Sequence, residues 1–298
     1  MSEPKNNTTD SSVVETKVPP TSEKDEKSDR DIADQKLFDA LEEPEHIQRI
    51  VREAILLAGG AVAILLQVAE PGVGKGVDIH SNFDYRPMDR LRTTMTYVYC
   101  MAFGSREEKQ TVTEMVHRAH APVRGEGYSA DDPELQLWVA ATLYAVGTDV
   151  YERVFGSLTE AAAEETYREY AVLAVSLRVQ PGMWPPSRKA FWEYWDAKVA
   201  TLEITDNAKN VAKDLLYNKK LPLYIRAVIP LVRITTAEML PLRVREGYGL
   251  KSTKVRRGVF RMSLGLTKVT YPGLPKVVRT YPMRYYLNDM RRRIQNMA

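Results

Sequence analysis

The sequence predicts an all-α protein. Three features carry this: apolar residues recurring at three- and four-residue steps, capping residues set just ahead of those runs, and very little strand-like alternation. The chain of 298 residues is long enough to bury a core without disulfides or metals as staples, and 44% hydrophobic with 27% charged residues is the balance of a soluble globular protein.

The elements follow in order. Residues 1–45 are rich in Ser, Thr, Asp, Glu, Lys and Pro and nearly devoid of aromatics. They are expected to form a disordered acidic tail, because such a composition buries too little apolar area to offset its ordering entropy. A single helical domain is expected over 46–298. From Pro44 the pattern turns helical and runs through Ala69, ending in an unbroken apolar stretch. Pro71-Gly-Val-Gly-Lys-Gly76 is expected to stop that helix and open a glycine-rich loop through Phe83. Met88 to Phe103 reads as the next helix, closed by Gly104.

Ser105-Arg-Glu-Glu108 has the form of a capping box and predicts a helix to about His120. Pro122 to Ala130 reads as loop. Asp132-Pro133 supplies an N-cap followed by Pro at the first helical position, for a helix to Phe155. Thr159 caps another, to about Val179. Ser187 precedes an aromatic helix containing Phe191, Trp192, Tyr194 and Trp195. Shorter helical stretches are expected beyond, interrupted by Pro222, Pro230, Pro241, Pro272, Pro275 and Pro282.

Several function classes fall away. A lone cysteine, Cys100, excludes an internal disulfide and every multi-thiolate metal site. It stands in an apolar helical run and reads as core. The longest apolar run, Ala54 to Ala69, is shorter than the roughly twenty residues of a membrane span and contains Gly59, Gly60 and Gln67. With no signal peptide in view, the expectation is a cytoplasmic protein, soluble or peripheral. The glycines around Lys75 do not make a phosphate loop, since Ala69 and Gly76 occupy the places where that motif needs Gly and Ser or Thr.

Net charge is only +3 and does not point to nucleic acid, but it is unevenly spread: residues 1–50 carry 7 Lys/Arg against 13 Asp/Glu, and residues 243–298 carry 14 against 2. The basic end offers contact with anionic lipid heads, a solvated face being the simpler reading. Trp184, Trp192 and Trp195 read as core packing. Of four histidines, only His117 and His120 stand three apart on one helical face. Residue chemistry alone thus offers a candidate histidine ligand and names no reaction.

Four ordered blocks carry more. They are Gly59 to Val73 continued by Gly76-Val-Asp-Ile-His-Ser-Asn-Phe83; Arg90-Leu-Arg-Thr-Thr94 with Phe103-Gly104; His120-Ala-Pro-Val-Arg-Gly125 with Tyr128-Ser-Ala-Asp-Asp-Pro-Glu-Leu135; and Trp138-Val-Ala-Ala-Thr-Leu143. With a weaker likeness from Leu221 to Gly249, they resemble the rubber-oxygenase (latex-clearing protein) and mycophenolic-pathway farnesyl-cleaving oxygenase family over roughly residues 46–250.

The resemblance implies an all-α catalytic domain that binds haem b in its helical core. By position it makes His120 the proximal iron ligand, Arg90 the distal cation and Thr94 the distal hydroxyl. Arg90 and Thr94 are four apart and so share a helical face, where a permanent cation and a small hydroxyl suit charge developing on dioxygen, the co-substrate. Glu70 and Ala140 depart from the pattern, standing where many relatives have histidine. The implied function is a haem-dependent oxygenase attacking an alkene of a lipophilic, terpenoid or polyketide-derived, small molecule in secondary metabolism. The alternative is a non-oxidative cyclase on the same scaffold that has dispensed with haem, and a third is a catalytically silent binding protein.

Overall fold

The computed structural model describes residues 44–80, 87–218, 220–221 and 223–296. The expected acidic tail therefore lies outside the described residues except for Pro44 and Glu45. Most of the rest is helical, with one two-stranded antiparallel hairpin pairing Arg124 with Ser129 and Gly125 with Tyr128.

The helices are α1 (His46–Val51), α2 (Gly60–Val68), α3 (Pro71–His80), α4 (Pro87–Phe103) and α5 (Arg106–His120). After the hairpin strands β1 (Arg124–Gly125) and β2 (Tyr128–Ser129) come α6 (Pro133–Phe155), α7 (Glu160–Val175), α8 (Arg188–Thr201) and α9 (Asp206–Tyr217). The chain closes with α10 (Leu223–Met239), α11 (Leu242–Gly247), α12 (Lys254–Thr270), α13 (Lys276–Arg279) and α14 (Tyr281–Gln295).

Helices α2 and α6 form the centre. Against them pack α3, α7, α9, α10 and α12, while α4 lies between α5 and α14. The fully buried Trp138 of α6 donates its Nε1–H to the Leu66 carbonyl of α2 at 2.9 Å, which fixes the two helices in register. Cys100 is wholly buried, and burial pushes its thiol up to about 12, the behaviour of a core cysteine. Trp184 and Phe191 join Tyr144 and Tyr167 in a cluster of rings 4.8–6.5 Å apart.

The caps read from the sequence form as expected. Ser105 accepts from the Glu108 N–H while the Glu108 carboxylate accepts from the Ser105 N–H. Asp132, Thr159 and Ser187 each cap the helix that follows.

Three expectations are corrected. The run before Ala69 is not one helix: it breaks at Arg52-Glu53 into α1, a 3-10 turn (Ala54–Gly59) and α2. The reason lies at Glu53, which is buried and draws the chain toward Arg279 at 3.3 Å and the Tyr271 hydroxyl at 3.2 Å.

Second, Pro71 to His80 is helix α3 and not a loop. Pro71 suits a first helical turn, and the glycines, poor helix formers alone, let α3 press against its neighbours. A Cβ on Gly74 would meet the Val68 carbonyl oxygen at 2.5 Å. Residues 81–83, the end of the expected loop, lie outside the described residues.

Third, Pro230 does not interrupt its helix: α10 runs through it for 17 residues. Packing of α10 against α2, α9 and α12 outweighs the missing N–H. In addition, α7 ends at Val175, four residues short of the expected Val179, where Arg178 takes a left-handed φ of 66°.

Candidate active site

Between α3, α4, α5, the hairpin and the first half of α6 lies a cavity of about 470 Å³. Val73 and Val77 of α3, Val116 of α5, and Leu135, Val139 and Leu143 of α6 give it an apolar wall. Its polar groups are few: Thr93, Thr94 and Tyr97 from α4, His120 from the last turn of α5, His80 from the end of α3, Tyr128 and Ser129 from β2, and Gln67 and Gln136.

Local sequence explains each placement. The capping box at Ser105 sets the start of α5, and its last residue, His120, then faces the cavity while staying half-buried. Thr94 reaches the cavity from α4, so the two residues approach from different helices. Arg90 lies on α4 one turn before Thr94; its side chain lies outside the described residues. His117 is absent from the cavity lining. It is half-buried, its Nε2 has no hydrogen-bond partner among the described residues, and desolvation, with the nearby Arg178, holds its pKa below the usual histidine value.

The cavity's other polar groups are mostly braced. His80 Nε2 and the Tyr128 hydroxyl are 2.9 Å apart. Gln67 donates to the Thr142 hydroxyl at 2.9 Å. The Tyr97 hydroxyl donates to the Leu173 carbonyl at 2.7 Å, and burial raises its pKa. Gln136 donates to the Ala130 carbonyl at 2.6 Å, yet its Oε1, buried, has no partner among the described residues. An acceptor in that state suits a ligand that brings a donor.

At the two positions expected to depart from the family pattern, Glu70 is paired with Lys198 at 2.7 Å and Ala140 is fully buried in α6. Residue patterns alone did not single out His80, Tyr128, Gln67 or Gln136. The one available signal was Gln67, a polar residue inside an otherwise apolar run.

A helical protein that encloses a mostly apolar cavity of this size, with a few convergent polar groups, is built to hold a small molecule in its core. The chain belongs to the family described as ER-bound oxygenase mpaB/B′/rubber oxygenase, catalytic domain, whose model matches residues 47–269. It thus carries an oxygenase-type catalytic domain, the family expected from the four sequence blocks. Two relatives, uncharacterized proteins of Mycobacterium tuberculosis and Mycobacterium bovis, are each 32% identical over 246 residues, covering 79% of this chain and 96% of theirs. No solved structure matches the chain. Among the described residues no helix is long and apolar enough to cross a membrane; the apolar pair Ala54–Val68 and Pro71–His80 is bent by 109°.

Proposed function

We propose that the chain is a haem b-dependent oxygenase acting on an alkene of a lipophilic small molecule, of terpenoid or polyketide type. The observation that carries this reading is that His120 and Thr94, assigned from the family pattern, line one apolar cavity from two different helices.

The donor set fits haem better than a bare ion. Among the described residues no group of three or more His, Cys, Asp or Glu comes together. A porphyrin brings its own equatorial nitrogens, so one histidine suffices as the protein's ligand. When bound, haem would supply the activation of dioxygen.

The chain's own residues do the rest. His120 would be the residue that holds the iron, through a neutral imidazole. Thr94 offers a hydroxyl that donates or accepts a hydrogen bond inside the cavity, and Arg90, on the same helical face, adds a permanent cation. The valines and leucines of α3, α5 and α6 exclude water and align the hydrocarbon chain, and Gln136 Oε1 accepts from a substrate hydroxyl. The scarcity of charge on the walls favours a lipophilic substrate.

The test is the visible spectrum of the purified protein with a pyridine haemochrome assay. Wild type should carry haem, His120→Ala should lose the Soret band, and His117→Ala should keep it. A haem-free wild type that converts its substrate without oxygen would replace this reading with the cyclase.

A further inference from the structure

We infer that α12 and the segment after it form a docking face for an anionic lipid bilayer, independent of the proposed oxygenase chemistry. Helix α12 has no buried residue along its 17 positions. Its outward stripe is nonetheless apolar: Val255, Met262, Leu266 and Val269 recur at i, i+7, i+11 and i+14 and are 75%, 71%, 65% and 80% exposed. Phe260, Leu264 and Thr267, on the opposite side, are half-buried. Soluble helices turn their apolar stripe toward the core, and α12 turns one away from it.

Lys254 and Arg261 stand about a quarter turn around the helix from that stripe, and Lys268 and Arg257 lie further round on the same flank, all exposed. None of them has an acidic partner among the described residues. Gly258 and Gly265 fall between the two stripes and would have open space around an added Cβ, so none of the described residues covers this side. The following elements add exposed Val277, Val278 and Tyr281. Residues 247–288 contain nine Lys/Arg and no Asp or Glu.

Charge selects the occupant. A second copy of the chain would bring the same exposed cations against these, which like-charge repulsion opposes. An anionic bilayer neutralises the basic stripe while its acyl boundary takes up Met262, Leu266 and the valines, the arrangement of an interfacial amphipathic helix. Tyr281 adds an amphipathic ring of the kind that settles at headgroup level.

The experiment is sedimentation of the full chain with vesicles of phosphatidylcholine alone or mixed with phosphatidylserine. Binding is expected to the mixed vesicles only and to weaken as salt is raised. Each of Lys254→Gln, Arg257→Gln, Arg261→Gln and Lys268→Gln is expected to weaken partitioning by about fivefold. The pair Met262→Asp and Leu266→Asp should abolish it with the helical circular-dichroism signal and melting temperature unchanged, because both side chains are exposed. A chain that stays in the supernatant with anionic vesicles at low salt overturns the proposal, whether a second copy or the acidic residues 1–43 then cover the face. Binding that survives both sets of substitutions overturns it as well.

Discussion

His80 Nε2 and the Tyr128 hydroxyl, 2.9 Å apart, tie the last residue of α3 to the hairpin that follows α5, and both side chains line the cavity. The contact spans 48 residues of sequence. It holds the cavity wall to the strand that leads from His120 back into α6.

Tyr128→Phe removes that bond and keeps the ring against Gly76 and Gly125. The expected cost is about 1 kcal/mol, read as a fall of a few degrees in melting temperature. If haem is bound as proposed, its content should stay near wild type.

Arg90→Ala and Thr94→Val should separate catalysis from haem retention. Under the proposed function, Arg90→Ala leaves the Soret band and costs on the order of 10²-fold in turnover, the scale of one lost preorganised donor. Thr94→Val should cost less. Arg90→Lys should not restore full activity, because an ammonium cannot reproduce the planar guanidinium. Loss of haem in Arg90→Ala would instead mark the arginine as a binding residue. Steady-state rates beside absorbance spectra decide between them.

Glu53 makes a prediction about stability. Its side chain is 3% exposed and its partner Arg279 11% exposed. Glu53→Ala strips the buried guanidinium of its carboxylate and takes an acceptor from Tyr271, so unfolding in urea should show a loss of about 3 kcal/mol. Replacing Glu53 and Arg279 together with apolar residues should recover much of it.

Acid sensitivity should trace in part to Glu108. The hydrogen bond from Arg291, 2.7 Å away, holds its carboxyl below the usual carboxylate value, with the Ser105 N–H adding to the effect. A depressed folded-state pKa stabilises above the unfolded value, and that stabilisation fades as pH falls through the folded one. Glu108→Gln keeps a capping-box side chain without the titration. Its melting temperature should therefore fall less than that of wild type between neutral pH and about pH 3, below the unperturbed carboxylate value.

Helix starts were legible because capping is local chemistry. Ser105, Asp132, Thr159 and Ser187 each announce a helix through their own side chains. What escaped was tertiary. The break at Glu53 depends on Arg279, 226 residues away, and α3 is helical because its glycines meet the Val68 backbone and neighbouring helices. Proline-based interruption failed at Pro230 because packing across α10 exceeds the loss of one hydrogen bond. Within the candidate site, the family pattern supplied His120 and Thr94. His80, Tyr128 and Gln136 become visible only once the helices bring them to one cavity.

The glycines of α3 have a consequence for what such a protein accommodates. Gly72 and Gly76 line the cavity where any other residue would extend a side chain: a Cβ on Gly72 would meet Leu135 Cδ1 at 2.8 Å, and one on Gly76 the Tyr128 ring at 3.4 Å. On this flank the main chain of α3 comes up closely against the side chains of Leu135 and Tyr128. A carbon added at Gly72 would therefore push Leu135 aside, and one at Gly76 would press on the ring of Tyr128, whose hydroxyl contacts His80. Side chains on α3 thus set the shape of this flank only through what they displace in Leu135 and Tyr128, which both line the chamber.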